Sequence, residues 1–500
     1  MPKLILIQIV LAPIAVSAIA LVLGKKLAHN TGWLASAVFL YTMLSNVIAA
    51  THVSNGGSLV EEYDWAPSIG LVFGLRADGL SIPLVLAINI LSLAVSAYSV
   101  PYMKSKIASR KNEYGIYYAF YLMFAASMQG TVLSTNLIQF FIFYEFMLIP
   151  SYFLIARWGY GERQKIALMY FLWTHVGALV LLIGILSTYA MVGSWDIYEI
   201  PGLIEQIGPP LETTIAISAL MLTGLFVKMA LFGLHVWLPH VHAEAPTPIS
   251  ALLSPAMIGI GGYAATRTIM AFFPAAYELS SEILSIWALV TMAYGGIMAL
   301  AEDDLKRRLA YSSISQMGYI LLGISSYDVV GVSGSMFHYV SHCTCKALLF
   351  MVAGTIILQA DGVRSIKRLG GLASNMPITA AAAVVGFFGI MGMPPLNGFH
   401  SEWMILSGTF ARVFHSGSTA SLLVAGGSII ATILTTCYGL WTIQKIFFGP
   451  RPEYLEDVKE APLAATLPML ALIALTILLG LFPSAVIDSL SPVISSILGG

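Results

Sequence analysis

Three titratable side chains stand at intervals of four in "FHYVSHCTCKALLF", residues 337–350: His338, His342 and Lys346. Four residues advance a helix by about 400°, so the three drift by only ~40° per step and share one stripe over roughly 12 Å of rise. The run around them is apolar. Histidine titrates at about pH 6.5, so three such groups with water between them can relay protons. Two other readings compete. A histidine pair at i, i+4 suits zinc, although no HExxH pattern or nearby carboxylate accompanies this one. Buried histidines can also be hydrogen-bonded core residues.

Three more charges fall inside apolar runs. Glu145 sits in "FIFYEFMLIPSYFLI" with no other charge within ten residues, so it cannot reach a membrane surface. Lys228 sits in "LMLTGLFVKMALFGLHVWLP", and Glu145 is its natural partner. Moving the carboxylate would change the lysine's proton affinity through Coulomb coupling at low dielectric. Glu402 follows "GIMGMPPLNGFHSEW", where Pro394 and Pro395 interrupt the helix. Broken helices are tolerated at membrane depth only where they face protein or a watery cavity, so Glu402 reads as a cavity residue. A structural salt bridge, a protonated structural acid and a helix-end glutamate are the bland alternatives. "GLHVWLPHVHAEAPTP" signals a second break at Pro239. Its histidines lie in a loop without a fixed face, which argues packing rather than metal binding.

The elements that carry these residues are membrane helices. Of 500 residues, 58% are hydrophobic and 10% charged, whereas soluble domains are about a quarter charged. Apolar runs long enough to span a bilayer recur from end to end. The net charge of −1 offers no basic face for nucleic acid. Three cysteines do not make a disulfide framework, and Cys343, Cys345 and Cys437 read as small core residues. The N-terminus lacks a charged start and cleavage site and reads as a first transmembrane helix. Gly-rich phosphate loops, CxxC pairs and a large soluble lobe are missing, so redox or nucleotide chemistry belongs to other subunits or is absent.

The expected fold is an all-α polytopic membrane protein of about fourteen transmembrane helices. Residues 1–110 hold helices 1–3 and residues 111–275 a five-helix unit, helices 4–8. Residues 276–450 hold a second, inverted five-helix unit, helices 9–13, and residues 451–500 a last helix. Each unit contains a broken helix, and such inverted repeats are a transporter signature. Most of the 24 Lys and Arg lie in loops on one side, which places both termini outside the cytoplasm. The basic loop at 301–319 reads as mainly topological.

"KMALFGLHVWLPHVHAEAPTPISALLS", "DDLKRRLAYSSISQMGYILLGI", "FHYVSHCTCKALLFMVAG" and "GMPPLNGFHSEWMI" occur in that order. Together they resemble the antiporter-like subunits of the complex I superfamily. That superfamily includes proton-pumping subunits of respiratory complex I, Mrp-type sodium/proton antiporters and energy-converting membrane-bound hydrogenases. The resemblance runs from about residue 110 to 450, and "PPLNGFHSEW" leans toward the hydrogenase and archaeal branches. It implies a fifth-helix glutamate, Glu145, paired with Lys228 on a broken seventh helix. It also implies His338, His342 and Lys346 on the eleventh helix and an exit-side charge, Glu402, on a broken twelfth. One position departs from the family. Many relatives carry lysine or histidine in the eighth helix, four residues before an aromatic, where this chain has Gly259 before Tyr263. Water or His175 of the sixth helix would then bridge the halves, or the protein couples less tightly or moves a different ion.

The expected function is translocation of protons, or sodium, within a multisubunit membrane redox complex of the NADH dehydrogenase-like or membrane-bound hydrogenase kind. The chain itself would carry no cofactor and no redox centre. Partners would be other membrane subunits, further antiporter-like subunits among them, peripheral redox subunits and the lipid bilayer of a prokaryotic plasma membrane. An Mrp-type secondary Na+/H+ antiporter is the first alternative, and a structural membrane anchor the second.

Overall fold

The computed structural model describes residues 4–54, 57–107 and 110–499. The chain starts with two helices, α1 (Leu6–Leu27) and α2 (Thr31–Val53), joined by one tight turn. A two-stranded antiparallel hairpin follows, β1 (Leu59–Ala66) and β2 (Leu71–Ala77), with Leu59 opposite Ala77. This hairpin corrects the all-α expectation. "LVEEYDWA" and "LVFGLRA" flank a Pro-Ser-Ile-Gly turn in which Gly70 takes a left-handed conformation, a hairpin signal between two helix-length runs. The hairpin also has a structural task. The Glu61 carboxylate accepts backbone N–H bonds from Ile5, Leu6 and Ile7 at 2.6, 2.9 and 3.0 Å, satisfying donors that the first turn of α1 leaves open.

Helices α3 (Ser81–Ile107) and α4 (Lys111–Leu133) lead to α5 (Leu137–Phe146) and α6 (Leu148–Trp158), which form one rod bent at Met147. Then come α7 (Arg163–Val192), the short α8 (Ile200–Ile207), α9 (Leu211–Met229) and α10 (Trp237–Glu244). The next rod, Thr247–Met270, consists of α11 (Thr247–Leu252) and α12 (Ile260–Ala264), each followed by a π-turn. The second half contains α13 (Pro274–Ala301), α14 (Leu305–Ser325), α15 (Val329–Gln359), α16 (Pro377–Ile390), α17 (Asn397–Ser416) and α18 (Thr419–Phe447). Residues 451–499 hold α19 (Leu463–Leu481) and also α20 (Ser484–Ile497), one helix more than the single C-terminal helix expected.

Among the described residues, eleven helical stretches are long and apolar enough to cross a membrane, with α1 and α2 counted as one. The chain is a multi-pass integral membrane protein. Its surface inverts the soluble pattern: α2, α7, α13 and α18 expose Leu44, Ile183, Ile283 and Ile430, the side chains a bilayer solvates. Where α1 meets α4, a Cβ on Gly24 would fall on the backbone of Gly115, the close approach that small residues permit between membrane helices. Central α14 and α15 are almost wholly buried and rich in Ser, Thr, His and Lys. Polar residues keep α14 out of the apolar count, yet it is enclosed by α13, α15 and α17. Cys343 and Cys345 are buried as expected, whereas Cys437 is exposed on α18.

Candidate functional site

Glu145 is the penultimate residue of α5. Its Oε2 lies 2.6 Å from Nδ1 of His175 on α7, and its Oε1 is buried without a partner. The carboxylate side chain is 18% exposed and the imidazole 40%, on the outward side of α7 beside Leu172 and Val176. His175 therefore sits at the rim of the first half, and the expected bridge to the second half through this residue is not formed.

Lys228 is the penultimate residue of α9. It is buried, donates to the Tyr144 carbonyl at 2.6 Å, and lies 3.5 Å from the Tyr144 ring centroid. The interruption at Met147 leaves that carbonyl available, because α5 has ended before its i+4 donor. Of the paired and separated arrangements expected for Glu145 and Lys228, the structure holds the separated one. The carboxylate has turned to His175 while its neighbour Tyr144 holds the lysine.

The break after Lys228 spans residues 230–236, ahead of Pro239, and corrects the expected position. Ala230 and Gly233 have positive φ values of 55° and 87°. Pro239 lies in the first turn of α10, where a missing N–H costs little. Three indoles cover the freed backbone. Trp237 donates to the Val227 carbonyl at 2.9 Å, Trp173 to Leu234 at 3.0 Å and Trp287 to Phe232 at 2.9 Å. His235 accepts from the Gly233 N–H and meets the Tyr294 hydroxyl at 3.0 Å. Protein partners thereby replace the helix bonds that membrane depth would otherwise leave unmade.

In the second half, His338, His342 and Lys346 are all at most 1% exposed. His338 Nδ1 is 3.0 Å from Ser401 Oγ, and its ring stacks on Tyr319 of α14. His342 Nδ1 approaches the Pro255 carbonyl at 3.4 Å. Lys346 donates to the Leu309 carbonyl at 3.2 Å and to Ser312 Oγ. The stripe expected from the i, i+4 spacing exists, and its members reach α17, the π-turn after α11, and α14 in succession.

The second break falls where expected. α16 stops at Ile390, Pro394 and Pro395 lie in the turn, and α17 starts at Asn397. Asn397 accepts from Ser341 Oγ at 2.9 Å and donates to Thr344 Oγ1 at 3.1 Å, tying the break to α15. Glu402 is buried in the second turn of α17, with Oε1 unpartnered. Its carboxylate faces Gly392 of the turn.

Two residues with places in this arrangement were not singled out from sequence. His242 lies on a helix, α10, and not in a shapeless loop. It is fully buried, its ring centroid lies 4.9 Å from that of Phe350 on α15, and both ring nitrogens lack partners among the described residues. A signal was available: His242 shares a face with Leu238 and Ala245 at i, i+4, i+7 spacing, whereas the exposed His240 does not. Lys306 was read as a topological loop charge. It is fully buried in the first turn of α14 and donates to the Ala245 carbonyl. Asp304 caps that helix by accepting from the Lys306 and Arg307 N–H groups, an N-cap pattern legible in sequence. Arg308 is likewise buried, donating to Thr442 and to the Glu302 carbonyl.

A polar vestibule of about 280 Å³ opens beside Lys306, lined by Glu162, His240, Glu244, Asp304, Arg307 and Arg364. Among the described residues, no group of three or more His, Cys, Asp or Glu converges as a metal-holding set. The buried carboxyls, imidazoles and amines described are of the types that can accept and release protons.

Comparison with known proteins places this geometry. The family described as NADH:quinone oxidoreductase/Mrp antiporter, transmembrane, matches residues 134–430. The F(420)H(2) dehydrogenase subunit M of Methanosarcina mazei is 32% identical over 477 residues, covering 93% of this chain and 92% of the relative. A Na(+)/H(+) antiporter subunit of Alkalihalophilus pseudofirmus is 33% identical, covering 91% of this chain and 58% of that longer protein. A chain of respiratory complex I from Thermus thermophilus superposes with a TM-score of 0.85 over 99% of this chain and 100% of that chain. At 24% identity it attests the fold.

Proposed function

The chain belongs to the NADH:quinone oxidoreductase/Mrp antiporter membrane family, and on that premise we propose that it is the ion-translocating, antiporter-like subunit of a multisubunit membrane redox complex. The observation that carries the proposal is the set of buried titratable groups on the two broken helices and on α15: Lys228 and His242, Lys346, His342 and His338, and Glu402. Intramembrane ionisable residues mark ion pathways by default.

On this reading, Glu145 and Lys228 form a switch, and their separation supports an open state of it. Glu145 pairs with His175, and Lys228 rests on the Tyr144 carbonyl. Swinging the carboxylate toward Lys228 would hold the lysine charged, and swinging it back would release a proton toward His242. The vestibule beside Lys306 supplies protons to the axis, and Glu402 passes them to the opposite side. Where relatives carry a basic residue in the eighth helix, His242 makes the connection here, entering from the far half of the first broken helix.

Fourteen membrane passages and two inverted five-helix units, 111–275 and 276–450, fit this reading. Separating α1 from α2 and adding α14 and the α16–α17 pair brings the eleven stretches to fourteen. Basic loops touch one another: Lys106 lies over the Tyr160 ring, and Arg364 pairs with Asp304 at 2.8 Å. The hairpin side brings Asp78 to Arg267 and Asn136 to Asp196. This alternation supports a prokaryotic plasma membrane orientation with both termini extracytoplasmic. Partners would be other membrane subunits, further antiporter-like ones among them, and peripheral redox subunits, with cofactors held by those partners.

The deciding experiment measures proton uptake by vesicles carrying the assembled complex. Glu145→Gln and Lys228→Ala should abolish uptake while redox turnover and assembly persist; uptake at wild-type rates in both variants overturns the proposal. The likeness to a Na(+)/H(+) antiporter protein favours one second reading, a gradient-driven Mrp-type antiporter. Uptake that needs sodium and no electron donor would select it.

A further inference from the structure

On the hairpin side, two cavities adjoin. An apolar slot of about 330 Å³ runs between α2, α3, α15 and α19, lined by Leu86, Leu91, Val340 and Leu475 among others. A wider polar mouth of about 760 Å³ lies over it, with Arg76, Asp78, Arg267 and Asp488 on its walls. Val53, Ser54, Ala485 and Ser489 line both, so the two adjoin across these residues. Its shape is that of an amphiphile: a polar end at the membrane edge and an apolar end within the bilayer.

The charges in the mouth are unevenly used. Arg267 and Asp78 neutralise each other at 2.6 Å, and both are buried. Arg76 has no ion pair among the described residues. Its guanidinium lies 4.0 Å over the Tyr198 ring, and its Nε is buried without a hydrogen-bond partner. A planar guanidinium with donors to spare matches a phosphate. Asp488 stands exposed on α20, on another wall of the mouth. A head with a second negative charge would meet that carboxylate, whereas a head ending in an ammonium would pair with it.

We propose that this space binds one zwitterionic, amine-headed phospholipid of the surrounding bilayer, with its phosphate on Arg76, its amine toward Asp488 and an acyl chain in the slot. The chain would lie against Val340 and Thr344, which are ~200° around α15 from His338 and His342 respectively. The lipid thus backs the helix of the titratable stripe without entering the stripe.

The test uses the purified full-length complex in nanodiscs and phosphatidylethanolamine with a diazirine at the end of one acyl chain. Mass spectrometry should find the photolabel on slot residues of α3 or α15. Labelling should fall roughly tenfold in Arg76→Gln, the affinity of one charge-assisted hydrogen bond, and less in Arg76→Lys, which keeps the charge but loses the planar fork. Leu475→Trp, which fills the slot and leaves the mouth intact, should also abolish labelling at α3. Unlabelled phosphatidylethanolamine should compete better than phosphatidylglycerol. The proposal is overturned by an unlabelled slot, by equal labelling in wild type and Arg76→Gln, or by displacement of the label with inorganic phosphate at millimolar levels. Better competition by phosphatidylglycerol overturns the assignment to Asp488.

Discussion

Tyr339 occupies the space that a side chain at Gly259 would need. A Cβ built on Gly259 falls onto the Tyr339 ring, and the tyrosine hydroxyl donates to the Ala256 carbonyl at 2.8 Å. Beside it, His342 and Cys343 both approach the Pro255 carbonyl. The helix of the stripe therefore braces the π-turn directly, and the basic residue common in relatives has no room here. Gly259→Lys should destabilise the protein by about 1–3 kcal/mol, the usual cost of overpacking. Adding Tyr339→Ala should recover part of that loss, seen as a negative coupling in a double-mutant cycle of thermal unfolding. Simple additivity of the two losses would show that the residues do not compete for space.

The Glu145–His175 contact makes a second prediction. Removing the imidazole frees the carboxylate to approach Lys228 and biases the switch toward the closed pair. His175→Ala should slow proton uptake by the assembled complex about tenfold, corresponding to ~1.4 kcal/mol on the barrier. Lys228→Ala should abolish uptake with or without His175. Unchanged uptake in His175→Ala would leave the imidazole as a surface partner only.

Much of this arrangement was legible because a bilayer makes polar residues conspicuous. His338, His342, Lys346, Glu145, Lys228 and Glu402 announce themselves by their cost in an apolar run, and spacing alone placed the first three on one stripe. Pro394 and Pro395 marked a true break. The first break was misplaced because Ala230 and Gly233, not Pro239, turn the chain, and an alanine in a left-handed conformation leaves no signature in sequence. Charge type names Glu145 and Lys228 as groups that can pair and separate, but it does not say that the carboxylate's other partner is His175. Lys306 and Arg308 looked like loop charges because a basic cluster between apolar runs ordinarily lies in water. Their burial depends on Ala245, Thr442 and Trp441, contributed by distant segments.

His242 should be as necessary for transport as Lys228. His242→Ala should reduce proton uptake at least tenfold, ~1.4 kcal/mol or more. His240→Ala, two residues away and exposed, should leave uptake within twofold of wild type. Because His242 also packs on Phe350, His242→Phe keeps the bulk and removes only the titrating nitrogens. Uptake should stay low in that variant while the melting temperature recovers. If His242→Phe transports normally, the residue is a packing element.

The Asp78–Arg267 pair makes a prediction in pH. Burial alone would raise the Asp78 carboxyl. The Arg267 charge and hydrogen bond, helped by the Ser81 N–H and Arg76, outweigh it and hold Asp78 below its ordinary value of 3.8. A carboxylate lowered in the folded state contributes stability that is complete above the unfolded value and is lost as pH falls through the folded one. Wild type in detergent should therefore keep this contribution from neutral pH down to about pH 4 and lose it in stronger acid. Asp78→Asn leaves Arg267 buried without a counter-charge and should cost about 3–5 kcal/mol at neutral pH. The variant's deficit in melting temperature should shrink as the sample is acidified below pH ~4, where the wild-type carboxylate is itself being neutralised. A deficit that stays constant across that range would assign the loss to packing and not to charge.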